Sequence, residues 1–293
     1  MGGHMKSSFQ SETKRLESIA AEASEIGGSI LLEYFGSVRK KSIIAKGIGD
    51  WVSEADLASE KAIVDYLGEV APNDEIITEE TGHIKPDTIP KYRWIIDPLD
   101  GTTNFLRGFP IWAVSVAVEK LNPTGRWGPI LAGAINIPSQ HEIFNASVGN
   151  GAYRNGDKLS QLLPRILNEC LFATGFPFRT RELIPDYSKL LADVLLRSAD
   201  VRRPGAVAVD LCYVAAGIFD GFWELDLAPW DIAAGALIIR EAGGTVGDFQ
   251  GEDDFLTTGD IIAGQTDSYG ELLSMIKNYF PTKRKVDKFP NRK

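Results

Sequence analysis

Thiols are scarce in this chain: the only cysteines among its 293 residues are Cys170 and Cys212, and both sit in apolar runs. So few argue against a disulfide framework or a sulfur-built zinc site, and both are expected to be reduced and buried. No run of about 18 apolar residues occurs, which removes the expectation of a membrane-spanning helix. The amino terminus also lacks a signal-peptide pattern, so the expected location is the cytoplasm. Positive charge is in deficit, with 31 Lys and Arg against 40 Asp and Glu and a formal net charge of −9. That balance disfavours nonspecific nucleic-acid binding through a basic face, while leaving room for phosphates wherever cations or metals are held. Internal repeats and low-complexity segments are missing too. What remains is 44% hydrophobic and 24% charged, ordinary for a globular chain with a sizeable core.

One stretch organises the rest, Tyr92-Arg93-Trp94-Ile95-Ile96-Asp97-Pro98-Leu99-Asp100-Gly101-Thr102-Thr103-Asn104-Phe105. Its apolar start reads as a buried strand that delivers Asp97 at its end, where Pro98 is expected to stop the ladder. Pro98 fixes φ and Gly101 tolerates positive φ, so the chain can turn until the carboxylates of Asp97 and Asp100 converge. Converging anions call for a cation. The small residues that follow can open a helix and aim free backbone N–H groups at an anion, which puts a phosphate site beside a metal site. The alternative is a solvent-exposed turn, since each of these residue types is common in turns.

A helix is expected from Phe9 to Phe35, with Leu16, Ile19, Ala20 and Ala23 at helical spacing. Met1-Gly2-Gly3-His4-Met5 reads as a remnant of cloning, with Met5 as the natural start. Ser37 to Trp51 carries Arg39, Lys40, Lys41 and Lys46 among glycines, as either a lid that reaches phosphate or a solvated loop. Asp56 falls near the first turn of the next helix, where an aspartate is ordinarily a cap. Glu79 and Glu80 end a short apolar strand, and His83 beyond them reads as a surface residue. Segments from Trp112 to Ala146 predict an antiparallel meander, with a turn signal at Gly149-Asn150-Gly151. Further on, strands and helices alternate, with helices expected over Asp186 to Ser198 and Gly205 to Gly217 and from Pro229. Asp231 then falls in a first helical turn, where pairing with the helix dipole is its ordinary role. Pro281 to Lys293 is a basic tail, expected to be solvated and dispensable for turnover.

The run from Asp97 to Phe105 resembles, at every fixed position, the signature Asp-Pro-x-Asp-Gly-Thr-x-Asn-Phe of the inositol monophosphatase superfamily. Haloacid dehalogenase phosphatases carry a related run, but with their aspartates two positions apart rather than three. Trp230-Asp231-Ile232-Ala233-Ala234-Gly235 is similar to the second signature of the same family, and Glu79-Glu80 to its upstream acidic pair. The resemblance implies an α/β fold of layers α-β-α-β-α, shared with fructose-1,6-bisphosphatases. It runs as a single unit over 6–280, an α+β half over about 6–150 and an α/β half over about 151–280.

The same resemblance implies a Mg²⁺-dependent, lithium-sensitive phosphomonoesterase. In such enzymes Glu79, Asp97 and the Leu99 carbonyl hold one ion, and Asp97, Asp100 and Asp231 another. Thr102 and Glu79 orient the attacking water, with Asp56 behind Thr102, and the Gly101 and Thr102 amides cradle phosphate. Substrate is expected to meet Asp100, Gly101, Thr102, Gly205, Ala206, Val207, Glu224 and Asp231. Myo-inositol monophosphate is the expected substrate, with fructose 1,6-bisphosphate, histidinol phosphate and 3′-phosphoadenosine 5′-phosphate as alternatives. Relatives that prefer inositol phosphates often carry Gly-Thr-Ala or Gly-Ser-Ala where this chain has Gly205-Ala206-Val207. A homodimer is the implied assembly. Some bacterial members bind the transcription machinery, so a regulatory binding role is the alternative of a different class.

Overall fold

Apolar residues at helical spacing turn the start of the chain into α1, Gly2–Tyr34, which buries Leu16, Ala20, Ala23 and Leu31 and begins earlier than expected. The computed structural model describes residues 2–36, 43–47, 50–160 and 165–284. The short hairpin β1 (Ile43–Gly47) and β2 (Asp50–Ser53) follows, while Arg39, Lys40 and Lys41 of the expected lid lie outside the described residues. No described helix is long and apolar enough to cross a membrane.

Helix α2 (Glu54–Val70) leads to β3 (Glu75–Thr78), β4 (Gly82–Ile84) and the buried β5 (Tyr92–Asp100). A five-residue helix α3 (Thr102–Leu106) precedes the meander β6 (Ala113–Leu121), β7 (Trp127–Ile137), β8 (Glu142–Ser147), β9 (Gly151–Arg154) and β10 (Asp157–Lys158). These strands form one sheet in the order β10-β9-β8-β7-β6-β5-β3-β4, antiparallel except where β3 runs parallel to β5. Because β9 and β10 still pair within it, this sheet extends past 150 to Lys158.

The remaining chain builds β11 (Leu171–Thr174), α4 (Ile184–Arg197), β12 (Asp200–Arg202), α5 (Val207–Ala215), β13 (Gly221–Glu224) and α6 (Pro229–Glu241). It closes with β14 (Thr245–Gly247), α7 (Phe255–Thr258), β15 (Ile261–Gly264) and α8 (Thr266–Tyr279). The second sheet runs β12-β11-β13-β15-β14. Helix α5 starts at Val207 rather than Gly205: Gly205 has φ +90, a left-handed conformation that cannot belong to a right-handed helix.

Strand alternation sorts the side chains into layers. On β5 and β6, Trp94, Ile96, Val114, Val116 and Val118 face α1 and α2, whereas Ile95, Ala113 and Ala117 face α5 and α6. Small residues on that inner face let α6 come close; a Cβ at Gly133 would stand 3.1 Å from the Ala234 Cα. Helices α5 and α6 also touch β15, and α4 and α8 cover the far face of the second sheet around Phe172, Tyr187 and Trp223. The layers are therefore α-β-α-β-α, as the sequence resemblance implies.

Two expectations are corrected here. His83 is not a surface residue: it lies in β4 with Nε2 on the Glu75 carboxylate and its side chain 14% exposed, because β4 pairs with β3 and brings the two together. The basic tail is exposed but not free at its start, since Lys283 and Arg284 are both held by acidic partners. Residues 285–293 lie outside the described residues.

Candidate active site

Strand β5 does not stop at Pro98. It continues to Asp100 through an irregularity: Asp97 pairs with Ser115 and Asp100 with Ala113, so three steps along β5 oppose two along β6. In a regular strand, residues three apart point to opposite faces; the extra residue resets the alternation and brings both carboxylates to one pocket. Ser59 of α2 donates to the Pro98 carbonyl at 2.9 Å, and Asp97 Oδ1 accepts the Leu99 amide at 3.0 Å. Asp100 Oδ2 accepts the Ala208 amide at 2.6 Å, in the first turn of α5. Gly101 takes φ +87 at the start of α3, and a Cβ there would meet the Ile111 carbonyl at 3.0 Å.

The pocket encloses about 340 Å³ between the two sheets. Glu79, Asp97, Leu99, Asp100, Gly101 and Thr102 line it from the first sheet. Gly205, Ala206, Val207, Glu224 and Asp231 line the opposite side, so every expected site residue except Asp56 reaches it. Asp56 stands behind, buried, as the partner of Thr102: Thr102 Oγ1 lies 3.2 Å from Asp56 Oδ1 and 3.1 Å from the Leu99 carbonyl. Oδ2 of the same carboxylate accepts the Ser53 amide at 2.9 Å and caps α2. The two roles weighed for Asp56 coexist. Asp231 likewise accepts the Ala228 amide at 2.7 Å at the start of α6 while lining the pocket.

Burial and neighbouring acids raise three of these carboxyls, those of Asp97, Asp100 and Glu224. Burial, then Glu79, Asp100 and Asp231, push the Asp97 carboxyl well above its ordinary range. Burial and Asp231 push Asp100 up to about 7, against the pull of the Ala208 and Val207 amides and Arg203. Burial takes Glu224 up to about 8, with Arg203 opposing. A cation among them would relieve that repulsion, and oxygen-only donors suit a hard ion such as Mg²⁺. Among the described residues, no three His, Cys, Asp or Glu side chains are grouped so as to hold a metal ion as they stand. The fit therefore rests on donor chemistry and mutual repulsion.

Several residues that shape this site escaped sequence reasoning. Glu60 is 3% exposed and accepts the Glu80 and Thr81 amides, each at 3.0 Å, as well as the Thr78 hydroxyl, fixing the turn that carries Glu79. The available signal was polar residues at helical spacing on an otherwise apolar face: Asp56, Ser59 and Glu60 share the buried side of α2 with Ile63 and Leu67. Arg203, Asp210, Phe178 and Arg179 also line the pocket. Nothing in their local sequence distinguished them. Asn104 joins the two sides, donating to Ile111 at 2.7 Å and Pro204 at 2.9 Å.

A layered sandwich whose two sheets close on a pocket walled by oxygen acids, with a half-buried threonine backed by a buried aspartate beside them, defines a phosphatase. More closely, the chain belongs to the inositol monophosphatase family, whose model matches residues 12–279. It is 40% identical over 247 residues to the Nus factor SuhB of Salmonella typhimurium strain LT2, covering 84% of this chain and 90% of that one. The extragenic suppressor protein suhB of Bartonella henselae superposes with a TM-score of 0.84 at 38% identity, covering 90% of this chain and 98% of that one. An inositol monophosphatase from Anabaena gives 0.78 at 30% identity, with 90% and 96% covered.

Proposed function

We propose that this phosphatase hydrolyses small polyol phosphates with Mg²⁺, with myo-inositol monophosphate as its substrate. The observation that carries the reading is the convergence of Glu79, Asp97, Asp100 and Asp231 on the pocket that Thr102 also enters. Glu79, Asp97 and the Leu99 carbonyl would hold one Mg²⁺, and Asp97, Asp100 and Asp231 a second. When bound, Mg²⁺ supplies positive charge to the phosphate oxygens and lowers the pKa of water. The Thr102 hydroxyl donates within the protein, to Asp56 or the Leu99 carbonyl, which leaves its oxygen lone pairs to accept from the attacking water. Glu79 takes up that water's proton. The amides of Gly101 and Thr102 steady phosphate oxygens, and Glu224 accepts hydroxyls of the polyol.

Ala206 and Val207 offer no hydroxyl to the ring, a difference from many inositol-preferring relatives worth about 1 kcal/mol per missing hydrogen bond. Fructose 1,6-bisphosphate, histidinol phosphate and 3′-phosphoadenosine 5′-phosphate are the competing substrates. A phosphate-release panel over all four, with and without Mg²⁺, tests the assignment; preference for any of the other three would replace it. Lithium inhibition, a homodimer and a cytoplasmic location belong to the same proposal.

A second reading rests on the relatives named Nus factors: a regulatory binding role in transcription alongside catalysis. Pull-down of transcription-complex components by wild-type protein and an Asp231→Asn variant alike would support it, and no capture by either would remove it.

A further inference from the structure

The carboxy-terminal end of the described chain returns to the loops behind the polyol side of the pocket. Past α8, the Phe280 ring packs on Phe249 at 5.5 Å, and its carbonyl accepts from Gln250 Nε2 at 3.0 Å. Lys283 then meets Asp248 at 3.3 Å, Glu252 at 2.8 Å and Asp254 at 2.8 Å. Arg284 Nη1 donates to Asp260 Oδ1 at 2.7 Å and Nη2 to Asp226 Oδ1 at 3.2 Å. Both acceptors are buried, Asp226 at 7% and Asp260 at 3% exposure.

Asp226 is the hinge of this arrangement. It lies between Glu224 and Leu227, which both line the pocket, and it takes φ +70, a left-handed conformation rare for a residue with a side chain. Such a conformation persists when its surroundings over-determine it. Here its amide donates to Asp260 Oδ1 at 3.1 Å and its Oδ2 accepts the Thr180 hydroxyl at 3.2 Å. Leu227 adds a bond to the Gly259 carbonyl at 2.8 Å. Thr180 adjoins Arg179, which lines the pocket together with Phe178. Two neighbouring buried carboxylates repel, and a planar guanidinium that bridges them with separate N–H groups turns repulsion into a clamp.

We propose that Arg284 is a positioning residue for substrate: by clamping Asp226 to Asp260 it holds the 225–227 loop, and through Thr180 the 178–180 loop, in the arrangement that presents Glu224, Phe178 and Arg179 to the polyol. The kinetic side of this proposal rests on the phosphatase reading; the conformational side does not. The test compares full-length enzyme with Arg284→Ala, Arg284→Lys and a chain ending at Arg284. In Arg284→Ala, hydrogen exchange of peptides spanning 175–181 and 225–228 should quicken by about fivefold or more, with peptides from β6 and β7 unchanged. KM for myo-inositol monophosphate should rise about tenfold while kcat stays within about twofold. Arg284→Lys should recover part of both effects, and the chain ending at Arg284 should match the full chain. Unchanged exchange in the two loops overturns the proposal, as does a fall in kcat at constant KM. If wild-type protein releases phosphate from none of the four substrates, the phosphatase reading falls, and the exchange comparison alone decides the role of Arg284.

Discussion

Gly175 and Glu224 leave no room for one another's enlargement: a Cβ built on Gly175 would lie 2.0 Å from the Glu224 carboxyl carbon and from both its oxygens. The glycine that follows β11 is thus the floor on which the carboxylate at the end of β13 rests. Gly175→Ala must displace that carboxylate from the pocket. KM for myo-inositol monophosphate should rise about tenfold, the scale of one lost hydrogen bond to a charged group. Hydrolysis of p-nitrophenyl phosphate, which has no polyol hydroxyls, should change far less. Equal loss on both substrates would show that Glu224 acts on the phosphate instead.

Asp231→Asn separates a capping role from a catalytic one. Asn can still accept the Ala228 amide, so thermal unfolding without metal should move by no more than the 0.3–1 kcal/mol or so of a charge–dipole contact. Turnover at saturating Mg²⁺ should fall by roughly a hundredfold or more, because charge on the leaving oxygen develops in the transition state. Near-normal turnover would remove Asp231 from the metal site.

Thr102→Val keeps the shape of the side chain and deletes the hydroxyl shared with Asp56 and Leu99. A drop in kcat of about 10²-fold, the usual reach of a positioned proton-transfer group, is expected with KM nearly constant. Its partner behaves differently: Asp56→Ala should also lower the melting temperature, since the Ser53 amide at the start of α2 loses its acceptor. Equal melting temperatures for the two variants would contradict the double role of Asp56.

The acidic pocket sets a pH dependence in metal-free protein. Asp100 is raised from 3.8 to about 7 and Glu224 from 4.5 to about 8, so the folded state holds protons that the unfolded chain releases at lower pH. Stability present below pH about 4 is then lost progressively as pH rises through about 7 to 8. Melting curves of chelator-treated protein should fall across that window, and millimolar Mg²⁺ should flatten the decline. A metal-free melting temperature that rises from pH 5 to 8 would refute the electrostatic picture.

The layered fold and most of the pocket were legible because their signals are local. Asp97 to Phe105 and Trp230 to Gly235 are contiguous runs, and helical or alternating periodicity marks α1, α2 and the meander. The errors arise where distant segments meet. Pro98 looked like the end of a strand because the ladder it interrupts is completed by β6, beyond the local window. His83 looked exposed because Glu75, on the neighbouring strand, supplies its partner. Arg284 looked like part of a solvated charge run because Asp226 and Asp260, far back in the chain, are what hold it.

Helix α6 is packed against β7 on one side and β15 on the other, with Gly235 so close to α5 that an added Cβ would lie 2.6 Å from Leu211. This shared helix makes the pocket a long-range construction, complete only where α6 stands between the two sheets. Glu79 and Asp97 come from the first sheet, whereas Asp100 is held in part by the Ala208 amide of α5 and Asp231 is carried by α6. Closing so long a stretch of chain is entropically slow, and partly folded molecules present an incomplete set of acids. A ligand that needs all of them binds only finished molecules, and so draws the folding equilibrium towards completion by mass action. Affinity for the complete set of acids is therefore also a contribution to the stability of the folded chain.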